Sequence, residues 1–219
     1  MTDAILESIN TAAESLAGCL LEMAEAETNP ILQIINPYSQ LEENKKYPPG
    51  LLRFNGSGWR AYYHCHPSTR TGNHRFEGEH GHFHIFVRCE NEIEVWSHLV
   101  ALAMDNMGQP IGWFTVNQWV TGETWQDADI LINQLKVIPY NEQTTLTERW
   151  LLSLLVLNQD KITTILYERD KLIKEQQDAD TNKNVKQDKS IYILSETTLN
   201  LKKLLNDIMQ SESQIINQK

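Results

Sequence analysis

The chain has few cysteines, no long apolar run and no histidine outside one short stretch. Its three cysteines, Cys19, Cys65 and Cys89, are widely spaced and form no CxxC pair, which argues against a disulfide framework and for a reducing compartment. No apolar run approaches the ~20 residues that cross a bilayer. The amino terminus also lacks the basic start and unbroken apolar segment of a secretory signal. We therefore expect a cytoplasmic protein without a membrane partner.

Basic charge is scarce in the front part of the chain. Residues 1–154 contain 9 Lys and Arg against 19 Asp and Glu, whereas residues 155–219 contain 10 of each. Binding to nucleic acid depends on neutralising phosphates with Lys and Arg. We therefore expect no nucleic-acid partner.

Histidine, in contrast, is concentrated. All seven histidines lie between His64 and His98, and five form two alternating runs, His64-Cys65-His66 and His80-Gly81-His82-Phe83-His84. Alternate residues of a strand point to the same face. Two such strands side by side would form a ladder of imidazoles, which favours a metal site.

The remaining pattern indicates an α+β fold with an antiparallel sheet of about four strands, flanking helices and a C-terminal helical tail. An amphipathic helix is predicted over 3–26 and a loop over 36–58. The four strands are predicted at Trp59–His66, Glu79–Arg88, Glu94–Asp105 and Ile111–Val120.

Helices follow the sheet. Capping boxes at Thr124–Asp127 and Thr145–Glu148 each predict a helix start, and a break is predicted near 158–160. The last helix is predicted from about Ser195. We divide the chain into a histidine-rich core domain, 1–140, and a helical extension, 141–219, with a polar linker near 176–190. The last two helices are expected either to pack on the core or to form a homodimer.

The strand phases predict a register. Pairing His66 with His80 also pairs His64 with His82, and pairing Arg88 with Glu94 also pairs His84 with His98. One face would then carry six histidines. The other face would be apolar and pack on helices, with Ala61, Tyr63, Cys65, Phe83, Ile85, Val87, Val95, Leu99 and Ala101.

The ladder predicts a transition-metal cofactor, with zinc, iron and copper all accepting imidazole. The candidate ligands are His64, His66, His80, His82 and His84. Either His64, His66 and His82 share one ion, or four or more ligands hold two ions. An all-histidine set resembles an open catalytic site more than a closed structural zinc site.

Three other residues are candidates for catalysis. Arg60 and Arg88 have the strand parity of the histidines and would bind an anionic substrate, although Arg88 has an alternative as the cross-strand partner of Glu94. Glu79 would act as a general base or would orient a ligand, and its alternative is a solvated carboxylate at a strand entry. His74, in the loop between the first two strands, need not touch the metal.

Two resemblances add to these expectations. The run His80-Gly81-His82-Phe83-His84-Ile85-Phe86 resembles the histidine triad motif, which implies a nucleotide hydrolase or transferase with His82 as the nucleophile. The family's usual lead-in is absent, and His64-Cys65-His66 has no counterpart in it.

A broader pattern includes Tyr47-Pro48-Pro49-Gly50, Gly78-Glu79-His80-Gly81-His82-Phe83-His84 and the stretch from Phe114 to Trp125. It resembles an uncharacterised bacterial family carried as a domain of unknown function, which implies no activity. From the residues themselves we predict a metal-dependent enzyme acting on a small anionic substrate. The alternatives are the histidine-triad enzyme and a metal-binding or sensing protein without turnover.

Overall fold

The computed structural model describes residues 3–35, 40–66, 76–90, 94–138 and 144–216 of the chain. Seven α-helices and six strands lie in these ranges. The helices are α1 (Asp3–Glu25), α2 (Pro30–Ile34), α3 (Gln118–Thr121), α4 (Ala128–Leu135), α5 (Leu146–Leu157), α6 (Gln159–Ala179) and α7 (Leu201–Ile216). The strands are β1 (Tyr47–Leu52), β2 (Trp59–Cys65), β3 (Glu79–Arg88), β4 (Trp96–Asp105), β5 (Pro110–Val116) and β6 (Ile193–Thr198).

All six described strands form one antiparallel sheet in the order β1-β2-β3-β4-β5-β6. The α+β class and the antiparallel sheet are thus confirmed. The expected number of about four strands is wrong, because strands lie at both ends of the predicted set. The structure places β1 within the predicted loop 36–58 and β6 where the last helix was expected to begin.

Physical reasons explain both missed strands. β1 contains Pro48, Pro49 and Gly50, which are rare in sheets, but it is an edge strand with an irregular register and needs few ladder hydrogen bonds. β6 follows a long polar stretch. Its six residues are too few to show a period, and the helical spacing of Leu199, Leu201 and Leu204 obscures where the strand ends.

One face of the sheet packs on the helices. The main core joins α1, α4, α5 and α6 to strand residues of alternate phase, and Trp150 of α5 lies 6.2 Å from Phe83, measured between ring centroids. Most of the predicted apolar face belongs to this core, namely Ala61, Tyr63, Cys65, Phe83, Ile85, Val87 and Leu99. Burial of this continuous face is the main stabilising contribution to the fold.

The predicted register between β3 and β4 is wrong by two residues at the hairpin and by one more beyond a bulge in β4. His64 pairs with His82 as expected, but Arg88 pairs with Trp96 rather than Glu94, and His84 pairs with Ala101 rather than His98. The second shift falls between Ile85 and Phe86, where β4 contains one extra residue. Beyond that point Ala101 changes sides, so that it packs with Ala103, Phe114 and Val116 on the histidine face instead of the helical one.

The helix boundaries follow local capping. The capping box of Thr145 and Glu148 is confirmed at the start of α5, and the break at Asn158 separates α5 from α6. The helix expected to begin at Thr124 begins instead at Ala128, whose backbone N–H donates to the Asp170 carboxylate. Asp170 of α6 therefore caps this helix in place of the capping box predicted at Thr124–Asp127.

The proposed division of the chain at residue 140 stays a prediction, although β6, which lies after that point, hydrogen-bonds with β5 in the same sheet. None of the described helices combines the length and apolar character needed to span a membrane.

Candidate metal centre

Three histidines converge at the middle of the second sheet face. His64 of β2 is paired with His82 of β3, and His84 follows His82 on the same face. The Nε2 atom of His82 lies 2.7 Å from Nε2 of His64 and 3.0 Å from Nε2 of His84. The strand register therefore brings three imidazole nitrogens to one point.

The spacing of these nitrogens suits a metal ion. Ligand atoms of His64, His82 and His84 all lie within 4.8 Å of one another. Zn–N bonds of 2.0–2.1 Å in a tetrahedral site separate the nitrogens by about 3.3 Å. The two distances from His82 Nε2, 2.7 and 3.0 Å, are a few tenths of an ångström shorter than this separation.

Glu79 supports His82 from the other side of the imidazole. Its Oε1 atom lies 2.8 Å from Nδ1 of His82, and both side chains are fully buried. A carboxylate accepts, so His82 donates its Nδ1 proton and leaves Nε2 with its lone pair directed at the other two rings. Such carboxylate–histidine pairs fix the tautomer and orientation of metal ligands.

A bulge in β3 explains how Glu79 reaches this face. Glu79 pairs with Asp105 and Gly81 pairs with Met104, which makes His80 the extra residue of β3. The bulge returns Glu79 to the face of His82 although the two are three residues apart. Simple alternation cannot predict that placement.

Glu79 also belongs to a second group. Ligand atoms of His66, Glu79 and His82 lie within 4.8 Å of one another. The imidazole of His66 stacks edge-on to that of His64 at a centroid distance of 4.7 Å. His82 is thus common to both groups of described residues with metal-ligand spacing.

His98 continues the ladder behind His84. Its Nε2 atom lies 2.9 Å from Nδ1 of His84. Burial lowers the pKa of His98 to about 3, and the positive charge of Arg169 adds to this shift. His98 is therefore neutral at physiological pH and can accept a hydrogen bond that orients His84.

The same bulge removes His80 from the ladder. Nδ1 of His80 lies 2.7 Å from the hydroxyl of Tyr63, a residue of the helical face. Burial lowers the pKa of His80. His80 lies in neither group with ligand spacing among the described residues, so its role as a metal ligand stays a prediction.

Gly81 allows the two histidine strands to approach. A Cβ at this position would lie 2.4 Å from the backbone oxygen of His64 and 2.5 Å from the Tyr63 hydroxyl. No side chain fits there without moving β2. The glycine between His80 and His82 is thus required by the packing that brings His64 and His82 together.

Aromatic rings enclose the centre. The His82 ring meets Phe114 edge-on at 5.0 Å, and Tyr62 lies 5.8 Å from His64 and 5.4 Å from His84, measured between centroids. His82 and His84 are 0% and 1% exposed, whereas His64 is partly exposed. An exogenous ligand would therefore approach from the side of His64 and His66. Neither Tyr62 nor Phe114 was among the predicted site residues, and only their strand parity could have indicated them.

The two candidate arginines lie at the far end of the face. Arg60 forms an ion pair with Glu123, and its guanidinium lies 4.3 Å from the centroid of the Trp96 ring. Arg88 is exposed and lies beside Gly58. The contacts of the two arginines are therefore with Glu123, Trp96 and Gly58, and their binding of an anionic substrate stays a prediction. His74 lies outside the described residues.

A pocket of about 510 Å³ opens beside the second group. His66, Phe76, Glu79, His80 and Asn106 contribute to its lining. It touches His66 and Glu79 but not His82 or His84 among the described residues, so it leads from solvent to the edge of the ladder.

Comparison with known proteins places the chain in a family. The family model described as Domain of unknown function (DUF6969) matches residues 10–199. The chain belongs to this family. The expectation of a family carried as a domain of unknown function is confirmed, and its bacterial origin stays a prediction. No curated protein and no solved structure shows a significant match to the chain.

The matched span contains every histidine and all six described strands, and it ends at Leu199. The β6 strand is therefore part of the family's shared sequence. Helix α7 lies beyond the match.

Proposed function

We propose that the protein is a transition-metal-dependent enzyme whose ion is bound by Nε2 of His64, His82 and His84. The observation that carries this proposal is the convergence of three Nε2 atoms on one buried point, with Glu79 holding the far nitrogen of His82. Three protein ligands leave a fourth position for water or substrate, as in catalytic zinc sites. Zinc, iron and copper are all compatible with these ligands.

The charge of such a centre supports the expectation of a small anionic substrate. Three neutral imidazoles leave the charge of a divalent ion unchanged, and the nearby Glu79 carboxylate reduces it to a net +1. An anion or hydroxide is therefore the favoured occupant of the fourth position. The ion, rather than Arg60 or Arg88, would provide the attraction, and the pocket beside His66 would admit the substrate.

The ion would also lower the pKa of a bound water, so that a hydroxide nucleophile for hydrolysis would be available near neutral pH. In that reaction the chain would have three tasks. The imidazoles fix the ion, Glu79 and His98 orient His82 and His84, and the rings of Tyr62 and Phe114 exclude bulk water.

The histidine-triad alternative lacks comparable geometric support. A nucleophilic His82 must direct Nε2 at a phosphorus atom with room for the displaced group. Nε2 of His82 instead lies within 3.0 Å of two other imidazoles, and the side chain has no exposed surface. The proposal therefore assigns His82 to a metal.

Metal analysis of the untagged protein tests the proposal. We expect purified protein to contain a transition metal, and metal-free protein to regain it when zinc, iron or copper is supplied. Cobalt or copper substitution then provides an absorption spectrum, in which azide or phosphate should shift the bands by occupying the fourth position. Wild-type protein that takes up none of these metals would overturn the proposal. Bound metal with no response to anions and no turnover would instead favour the sensor.

A further inference from the structure

We propose that the ladder has a second metal position, bound by His66, Glu79 and Nδ1 of His82, so that the His82 imidazole bridges two ions. This inference rests on the proposed function, since it takes the first ion to be bound at Nε2 of the same ring. Both groups of ligands are on the histidine face, and His82 is their common member.

The geometry of imidazole is the first argument. Its two nitrogens direct their lone pairs away from each other in the ring plane, so one ring can serve two ions without crowding them. Nε2 of His82 faces His64 and His84, while Nδ1 faces Glu79 at 2.8 Å. Each nitrogen thus already faces a different group with ligand chemistry, and the His66 ring lies 4.8 Å from the His82 ring, measured between centroids.

Position and access provide the second argument. His66 and Glu79 line the pocket of about 510 Å³, whereas the Nε2 group lies deeper, with His82 and His84 buried. An ion at the second position would therefore lie between the pocket and the deeper ion. Small ligands that enter through the pocket would meet this ion before they reach the fourth position of the deeper one.

The step that fills this position balances without a change of oxidation state. The second ion forms bonds to Nδ1 of His82, to a carboxylate oxygen of Glu79 and to an imidazole nitrogen of His66. The proton on Nδ1 leaves to a buffer base, and the hydrogen bond between His82 and Glu79 is replaced by two metal–ligand bonds. Uptake of the second ion therefore releases a proton.

The charges of the two ions favour a carboxylate, that of Glu79, beside the bridging His82 imidazole. Two divalent ions carry four positive charges, of which the His82 imidazolate and Glu79 each cancel one. The remaining charge of +2 favours an anionic ligand in the pocket. An uncompensated pair of ions would be costly in a site with buried walls, so Glu79 is essential for the second ion but not for the first.

Titration of metal-free protein with Cu²⁺ tests the inference. The variants are His66→Ala and Glu79→Gln, with His80→Ala as the matched control, because His80 also lines the pocket but lies in neither group. Elemental analysis and native mass spectrometry count the ions bound. We expect two ions per chain in wild type and in His80→Ala, and one ion in His66→Ala and Glu79→Gln. Retention of that one ion shows that the variants are folded.

Electron paramagnetic resonance gives an independent reading. Two Cu²⁺ ions bridged by imidazolate couple antiferromagnetically, so the integrated signal should rise with the first equivalent and fall with the second. A signal that keeps rising to two uncoupled ions, or two ions bound in His66→Ala as in wild type, would overturn the bridge.

The outcomes separate this inference from the proposed function. Wild type that binds one ion, lost in His64→Ala but kept in His66→Ala, contradicts the second position and leaves the first intact. Wild type that binds no ion contradicts both. An ion that needs His66 and Glu79 but neither His64 nor His84 contradicts the proposed centre.

Discussion

Nε2 of His64 and Nε2 of His82 lie 2.7 Å apart across the β2–β3 pair. At this distance two lone pairs would repel, so the two nitrogens must share either a proton or a metal ion. Because Nδ1 of His82 already faces a carboxylate, the proton of that ring is on the far side. The contact is therefore satisfied either by a proton that His64 donates from Nε2 or by an ion between the rings.

The first prediction concerns the ligands of the deeper ion. His82→Ala and His64→Ala should each weaken binding of the first ion by more than about 100-fold, since even partners outside the ligand set cost 10- to 100-fold. Isothermal titration calorimetry with Zn²⁺ measures this. His80→Ala is the control and should bind with nearly wild-type affinity, and we predict the same for His74→Ala. Equal affinity in all four variants would mean that the histidines are only a polar strand face.

The second prediction concerns stability upon metal removal. A ligand present at 100 times its Kd stabilises the folded state by about 2.7 kcal/mol. For a chain of this length that corresponds to a rise in Tm of roughly 5–10 °C over the metal-free protein. Differential scanning calorimetry before and after chelation measures the shift. His82→Ala should show no metal-dependent shift, and a full shift in that variant would place the ion elsewhere.

The third prediction tests the packing between the two histidine strands. Gly81→Ala should destabilise the protein by about 1–3 kcal/mol, because the new Cβ would meet the His64 backbone oxygen at 2.4 Å. It should also weaken metal binding by moving β2 away from β3. Chemical denaturation and metal titration measure the two effects.

Gly18 provides the matched control for that experiment. It lies within α1, where an added Cβ meets no atom within 4 Å. Gly18→Ala should stabilise the protein by up to about 1 kcal/mol through helix propensity and leave metal binding unchanged. A harmless Gly81→Ala would mean that the close approach of β2 and β3 is not needed.

The fourth prediction separates metal chemistry from the histidine-triad mechanism. Metal-free protein incubated with a nucleoside phosphoramidate should form no adduct on His82, because Nε2 is enclosed by His64 and His84. Intact mass spectrometry after rapid quenching detects such an adduct. A phosphorylated or nucleotidylated His82 would assign the protein to the triad mechanism.

Alternation along the strands was sufficient to predict the ladder, the pairing of His64 with His82 and most of the core face. Period-two patterns determine which side a residue takes as long as the ladder is regular. Bulges break that rule. The one near His98 moved Ala101 to the other face, and the one at His80 exchanged His80 for Glu79 beside His82.

Contacts distant in sequence were beyond such reasoning. Ala128 begins its helix at a carboxylate from Asp170, and Arg60 is held by Glu123 rather than directed at the histidines. Neither partner follows from a local pattern, since each depends on how remote segments pack. The role of Glu79 was foreseen only as one of two alternatives, because alternation does not predict the bulge at His80 that places it beside His82.

Strand β5 is synthesised long before β6, its partner at the edge of the sheet, and this delay affects folding. Thr115 of β5 hydrogen-bonds Ser195 of β6 across 80 residues of chain. The outer edge of β5 therefore lacks its β6 neighbour until residues 193–198 have left the ribosome. Unpaired edges invite association with other chains, and pairings this distant form slowly. A newly made chain would carry its complete histidine strands next to an unfinished sheet, and truncation before residue 193 would make that vulnerable intermediate permanent.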